Sequence, residues 1–146
     1  CGDFNYRIDM PIDECKQLIS EQKWSELLEK DQLKCQQQDG LIFHDYHEGQ
    51  VDFAPTYKYD INSDDYDTSE KSRIPAWTDR ILWRNLLKFQ SRWQKTDHSK
   101  MSSIEPISMY YDSLPQYTTS DHKPVRQLIW IPIMEMKEIK KDLNQG

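Results

Sequence analysis

A carboxylate and a carboxamide stand two positions apart in Gly2-Asp3-Phe4-Asn5. On an extended strand end, that spacing puts both side chains on one side. The carboxylate can take a proton from water, and the amide can steady the water or a phosphate oxygen. The same string also occurs in plain turns, where Asp and Asn bond their own backbone. Ser120-Asp121-His122-Lys123-Pro124 sets an imidazole beside a carboxylate. Pro124 excludes helix there and favours entry to a strand, which suits a site at a strand's edge. A lone histidine can equally be structural. In Ala76-Trp77-Thr78-Asp79-Arg80 an acid interrupts an apolar strand. A carboxylate in that setting takes a partner. His122 is one candidate, with Asp79 holding one ring nitrogen and favouring the protonated ring. A salt bridge to Arg80 or another base is the other.

Tyr57-Lys58 and Lys71-Ser72-Arg73 add cations and a phenol. Two lysines and an arginine converging on one group suit a phosphomonoester. Arg binds phosphate oxygens in pairs, and Lys supplies a point charge.

These residues need elements to hold them. Pro11 is expected early in a helix capped by Asp9 or Met10. Ile12, Cys15, Leu18 and Ile19 then share one face, and Trp24, Leu27 and Leu28 continue it in a second short helix. Asp31 is expected to cap a third, which Gly40 ends. Residues 51–60 read as strand and turn, and 62–66 as a polar loop. Residues 77–83, 107–111 and 125–133 read as strands. Residues 84–93 mix basic and aromatic side chains and suit a surface connection or a lipid contact. Residues 95–105 read as a mobile connection. Helices followed by strands suggest an α+β or layered sandwich domain.

The 146 residues suit one domain. A net charge of −6 argues against a protein that grips nucleic acid by its backbone. Between Lys71 and Lys95, however, Asp79 is the sole acid among several bases, which is either a solvated face or an anion site. No apolar run is long enough to span a membrane. Cys1, Cys15 and Cys35 are odd in number and lack metal-site spacing, so a reducing cytosol is expected. The chain opens on Cys1 without an initiator Met and is expected to be part of something longer.

Four strings follow one another: Gly2-Asp3-Phe4-Asn5-Tyr6-Arg7, Phe53-Ala54-Pro55-Thr56-Tyr57-Lys58-Tyr59-Asp60, Ser69-Glu70-Lys71-Ser72-Arg73-Ile74-Pro75-Ala76-Trp77-Thr78-Asp79-Arg80-Ile81-Leu82-Trp83 and Ser120-Asp121-His122-Lys123-Pro124-Val125. Together they resemble the inositol polyphosphate 5-phosphatases, from Cys1 to about Val125. The resemblance implies an α/β (α+β) fold, a four-layered sandwich of two β-sheets flanked by helices, shared with DNase I-like endonucleases. Residues 1–134 would be the C-terminal part of that catalytic domain, and 135–146 a following segment or tail.

The resemblance also implies a reaction, Mg²⁺-dependent hydrolysis of a 5-phosphate by direct attack of water. Asp3 then resembles the general base, and Asn5 its neighbour at the scissile phosphate. His122, supported by Asp79, resembles the donor to the phosphate. Asp121 resembles the acid near the metal, and Arg7 helps hold the region of the scissile phosphate. Tyr57, Lys58, Lys71 and Arg73 match a pocket for the neighbouring 4-phosphate. Phosphatidylinositol 4,5-bisphosphate is thus the implied substrate, with the 3,4,5-trisphosphate second. The protein would be cytoplasmic and peripheral at membranes, with no transmembrane segment, no nucleic acid and no protein partner assigned.

The family's metal-binding Glu lies upstream of the Asp3 string, so the chain alone is expected to be inactive. It is also expected to expose the apolar faces of Trp77, Ile81, Trp83 and Ile129 and to be unstable. A phosphoinositide-binding module without turnover, and a nuclease of the same fold, are the other readings.

Overall fold

Pro11 opens the first helix from outside it. Its φ of −60° and ψ of 143° make it the cap of α1 (Ile12–Ser20) and not a residue within it. The expected cap, Asp9 or Met10, is therefore displaced toward the helix. Proline has no N–H to lose at that point. Cys15 and Leu18 of α1 are buried, as is Leu27 of α2 (Trp24–Leu28). Asp31 caps α3 (Gln32–Gln38) as expected, accepting the Lys34 N–H at 3.0 Å. Past α3, Gly40 takes φ 66°. Its N–H reaches the Gln37 carbonyl, and the Leu41 N–H reaches that of Gln36. This paired closure uses a left-handed residue, which glycine adopts without strain.

The computed structural model describes residues 1–84 and 106–131. The expectations for 95–105 and 135–146, and all but Arg84 of 84–93, lie outside them. Three antiparallel pairs form among the described residues. β1 (Gly2–Asp3) pairs with β3 (Asp79–Arg80), and β2 (Tyr46–Glu48) with β4 (Leu82–Arg84). β5 (Ile107–Ser113) pairs with β6 (Val125–Trp130), with an irregularity between Ser108 and Tyr110.

The single strand expected over 77–83 is thus two strands with different partners. At the break, the Ile81 N–H donates to the Tyr111 hydroxyl at 3.2 Å, outside both ladders. Within 51–60 the pairing is confined to isolated bridges. Tyr57 meets Ala76 and His122, and Tyr59 meets Tyr66.

Trp77 is the centre of the core. It is fully buried, and its indole N–H donates to the Phe53 carbonyl at 3.0 Å. Cys15, Leu18 and Leu27 pack into the same cluster with Phe53 and Tyr111. The expectation that Trp77 is bared is therefore wrong, because the helices and the 51–53 segment of this same chain cover it. Ile81, Trp83 and Ile129 are half-buried. The apolar side chains most open to water are others, among them Met109, Leu128 and Trp130 on the β5–β6 hairpin.

Arg80 is buried on the opposite side of β3 from the candidate site. It donates to both Asp31 oxygens at 2.9 and 3.0 Å and to both Glu48 oxygens at 2.6 and 2.8 Å. Lys34 adds a 2.6 Å contact to Glu48. Burial pushes the Glu48 carboxyl up, but Arg80 and Lys34 outweigh it and hold the group below the usual range. Buried ions cost several kcal/mol each unless they are fully bonded, and this cluster is. It ties α3, β2 and β3 together.

Candidate active site

The β1–β3 register sets Asp3 opposite Asp79. The Phe4 N–H continues the pairing to the Thr78 carbonyl at 2.8 Å. The strand then stops. Asn5 has φ 60°, a left-handed conformation that asparagine tolerates better than most residues. Asp3 and Asn5 are therefore not two positions of one strand, as expected. They are held by a turn in which Asp3 Oδ1 accepts the Asn5 N–H at 2.8 Å.

His122 arrives from the other side of the site, just before β6. Its Nδ1 lies 2.6 Å from Asp79 Oδ2. A carboxylate accepts only, so Nδ1 carries the proton and Nε2 is left for a ligand. The Thr78 hydroxyl donates to the same Asp79 oxygen at 3.1 Å and lies 3.3 Å from Nδ1. Of the two partners open to Asp79, His122 is the one found, since Arg80 is committed to Asp31 and Glu48.

Two backbone bonds fix the histidine's segment, Tyr59 N–H to Asp121 O at 2.9 Å and Lys123 N–H to Thr56 O at 2.8 Å. The Tyr57 ring lies 4.7 Å from the His122 ring. Arg7 lies over the Tyr57 ring, 4.5 Å from its centroid, and its guanidinium donates to Asn5 Oδ1. The structure thus brings together Asp3, Asn5, Arg7, Tyr57, Asp79 and His122.

Lys58 Nζ lies 3.6 Å from Asp121 Oδ2, with both side chains about one third exposed. Lys71 and Arg73 are exposed on a loop whose base returns to Lys58 through the Asp67 N–H and the Lys58 carbonyl, at 2.9 Å. Asp67 itself shapes that loop. Its carboxylate accepts the Ser69 N–H at 3.1 Å and the Arg73 N–H at 2.9 Å. Ser69 and the Arg73 backbone hold the carboxyl down at about 2.

No three His, Cys, Asp or Glu side chains gather to hold a metal ion among the described residues. Mg²⁺ takes six oxygens in a near-ideal octahedron. Asp79 is occupied by His122, and Asp121 faces Lys58 only loosely, at 3.6 Å. The described residues therefore do not fit a complete Mg²⁺ site.

Three contributors escaped the sequence reading. Thr78 steadies the Asp79–His122 pair, and Asp67 orders the loop of Lys71 and Arg73. Lys123 is only 2% exposed. Its ammonium donates to Asp64 Oδ1 at 2.8 Å and to the carbonyls of Pro115 and Ser63, above the Tyr59 ring. It pins the residue next to His122. Its one sequence signal is a lysine between a histidine and a proline at a strand entry.

Chemically, the site offers an exposed carboxylate, an imidazole braced by a second carboxylate, and the cations of Arg7 and Lys58 beside them. That set can orient a water against an anionic group and donate a proton or hydrogen bond to it.

Residues 1–128 match the Endonuclease/Exonuclease/phosphatase family 2. Human Synaptojanin-1 is 47% identical over 147 residues, which cover 94% of this chain and 9% of that protein. The Type IV inositol polyphosphate 5-phosphatase 11 of Arabidopsis thaliana is 45% identical over 126 residues, covering 86% of this chain and 34% of that protein. Among solved structures, the inositol polyphosphate 5-phosphatase domain of SPsynaptojanin, in complex with inositol (1,4)-bisphosphate and calcium ion, superposes with a TM-score of 0.70 at 40% identity. It covers 86% of this chain and 31% of that one. A Cimex nitrophorin, solved as a ferrous NO complex, superposes with a TM-score of 0.70 at 30% identity, covering 88% and 39%. The chain thus spans a small part of the synaptojanins, and its fold is the layered endonuclease/exonuclease/phosphatase fold over the part it spans.

Proposed function

The chain belongs to the endonuclease/exonuclease/phosphatase family, with inositol polyphosphate 5-phosphatases among its relatives, and on that premise we propose that its site serves removal of the 5-phosphate from an inositol phospholipid headgroup. Phosphatidylinositol 4,5-bisphosphate is the first substrate of this proposal and the 3,4,5-trisphosphate the second. The observation that carries it is the register of Asp3 opposite Asp79, with His122 bonded to Asp79.

Asp3 orients the attacking water and takes its proton. His122 donates through Nε2 to a phosphate oxygen as charge builds there, and Asp79 stabilises the imidazolium. Asn5 contacts the scissile phosphate. Lys58, Lys71, Arg73 and the Tyr57 hydroxyl hold the 4-phosphate, so that only the 5-phosphate meets the water. Positioning of this kind supplies about several kcal/mol of a barrier. At 3.6 Å and partly exposed, the Lys58–Asp121 pair is loose enough for Lys58 to turn to a phosphate. A Mg²⁺ requirement belongs to the proposal. The solved 5-phosphatase domain carries calcium, and the described residues here supply no complete site of their own. A cytoplasmic place at the membrane surface is likewise proposed. No helix among the described residues is long and apolar enough to cross a membrane.

A headgroup-binding module without turnover is the second reading. The nitrophorin likeness favours keeping it, because one fold carries different chemistries. A pure binder has no use for Asp3, Asp79 and Asp121 beside an anion, where they repel it. The nuclease reading meets the net charge of −6 and the 4-phosphate cations.

The test is phosphate release from short-chain phosphatidylinositol 4,5-bisphosphate, with and without Mg²⁺, by the full-length protein that contains this chain. Release that leaves the 4-phosphate in place supports the proposal. A folded protein that binds the lipid and releases nothing moves the reading to the binding module.

A further inference from the structure

Arg7 is rooted before its side chain begins. Its N–H donates to the Gln32 side-chain oxygen at 3.0 Å, and its carbonyl accepts the Gln32 N–H at 2.9 Å. From that fixed base the guanidinium does two things at once. One nitrogen donates to Asn5 Oδ1, and the group lies 4.5 Å over the Tyr57 ring. Tyr57 is itself fixed by a two-way backbone bridge to Ala76, at 3.1 and 2.7 Å. Its ring then lies 4.7 Å from that of His122. Guanidinium, phenol and imidazole form one continuous series of contacts.

We infer that Arg7 is a positioning residue, which joins the Asp3–Asn5 turn to the His122 ring through Tyr57. The inference rests on the hydrolase reading above and deepens it. The turn and the histidine come from segments more than a hundred residues apart, linked otherwise by the two-residue β1–β3 ladder and the Asp79 bond. The Asp79 bond fixes one ring nitrogen but leaves the ring free to tilt about it. The Tyr57 face restricts that tilt, and Arg7 holds the Tyr57 ring while bonding the turn. A guanidinium can do both because it is a plane with several donors. An ammonium offers neither the plane nor the fork. Arg7, expected from the sequence at the scissile phosphate, here acts on the residues around it.

The test uses the full-length protein, Mg²⁺ and short-chain phosphatidylinositol 4,5-bisphosphate, with Arg7→Lys, Tyr57→Leu and the double variant. Arg7→Lys is expected to lower kcat roughly 10- to 100-fold, the scale of a small misplacement of reacting groups, with KM changed less than about threefold. The double variant is expected to have a kcat no lower than about that of the worse single one, because both changes cut the same connection. Tyr57→Phe, which keeps the ring, is expected to recover part of the kcat lost in Tyr57→Leu. Additive losses, or a raised KM at full kcat in Arg7→Lys, overturn the inference and make Arg7 a substrate ligand.

A second readout needs no substrate. Nitrogen NMR of the His122 ring in the unliganded protein is expected to shift or broaden in Arg7→Lys, and unchanged ring signals overturn the inference. If the unaltered protein releases no phosphate, the hydrolase reading falls, while the ring signals still decide whether Arg7 positions His122.

Discussion

Asp79 and His122 stand 43 positions apart in the chain, yet Oδ2 of one lies 2.6 Å from Nδ1 of the other. Asp79 reaches this point from β3, where it also faces Asp3. His122 reaches it from the turn before β6, pinned on either side by bonds to Tyr59 and Thr56. The bond bears on the roles proposed for both residues. Asp79 is spent on the ring and is not a spare base. In the proposed reaction His122 has Nε2 left for the substrate, and it donates from there when the ring is protonated on both nitrogens.

His122→Ala in the full-length protein is therefore expected to lower kcat by about 10²–10⁴, the range for a lost acid–base group. Asp79→Asn keeps the shape but removes the charge, and is expected to lose a smaller part of that range. The check is steady-state phosphate release beside a thermal melt that shows the variants folded. A His122→Ala protein within a few-fold of its parent ends the role assigned to the ring.

Removal of divalent ions tests the cation requirement separately. Chelation is expected to stop phosphate release and Mg²⁺ to restore it, because an inositol hydroxyl leaves poorly unless its developing charge is stabilised. Release that persists in excess chelator, after dialysis, removes the metal from the proposal.

Arg80 carries the stability of the strand that bears Asp79. Arg80→Met would leave Asp31 and Glu48 buried without their main partner. Breaking a buried charged cluster from one side costs about 3–5 kcal/mol, against a typical total of about 5–15. Urea unfolding of the domain is expected to show a midpoint lowered accordingly. A change under about 1 kcal/mol would mean that Lys34 and solvent replace the guanidinium with little loss.

Asp67 gives the loop of Lys71 and Arg73 a pH dependence. Its carboxyl is held at about 2, against an ordinary 3.8, by Ser69 and the Arg73 backbone. A depressed carboxyl stabilises the fold fully above its unfolded value, and that contribution fades as pH falls toward the folded one. Loop order is therefore expected to be complete above about pH 4 and to be lost from there toward pH 2. Asp67→Asn is expected to loosen the same loop at neutral pH by about 1 kcal/mol, the scale of a lost bond. Hydrogen exchange at Ser69 and Arg73 reads both effects. Equal protection at pH 3 and pH 6 would show that the carboxylate does not hold the loop.

Local chemistry was the part visible in the sequence. Asp31 as a cap and Gly40 as an exit follow from what those residues need, and His122 was one of the partners left open for Asp79. The break at Ile81 was not visible, because it depends on the Tyr111 hydroxyl, 30 positions away. The expectation of a facing layer upstream marked Trp77 for an open face. It could not show that Phe53 and the helices of the same chain close over it. Lys123 carries no periodic signal at all, and its burial depends on acceptors from two separate loops. The turn at Asn5 was hidden for a simpler reason. A two-residue strand ends before alternation means anything.

The β5–β6 hairpin supplies the last expectation. Its register pairs Ile107 with Trp130 and Tyr110 with Leu128, all on the face turned away from Tyr111, Val125 and Ile129. Leu128 is 62% exposed, Met109 63% and Trp130 50%. Monomeric proteins rarely leave so continuous an apolar face in water. The 146 residues alone are therefore expected to associate, and the replacement of Met109 and Leu128 by Thr to reduce it. Threonine keeps the strand preference and removes apolar surface from side chains that are more than half exposed. Sedimentation over a concentration series measures the difference. A monomeric unaltered chain, melting cooperatively with sharp near-ultraviolet dichroism, would show that this face is tolerated in water and that the chain stands by itself.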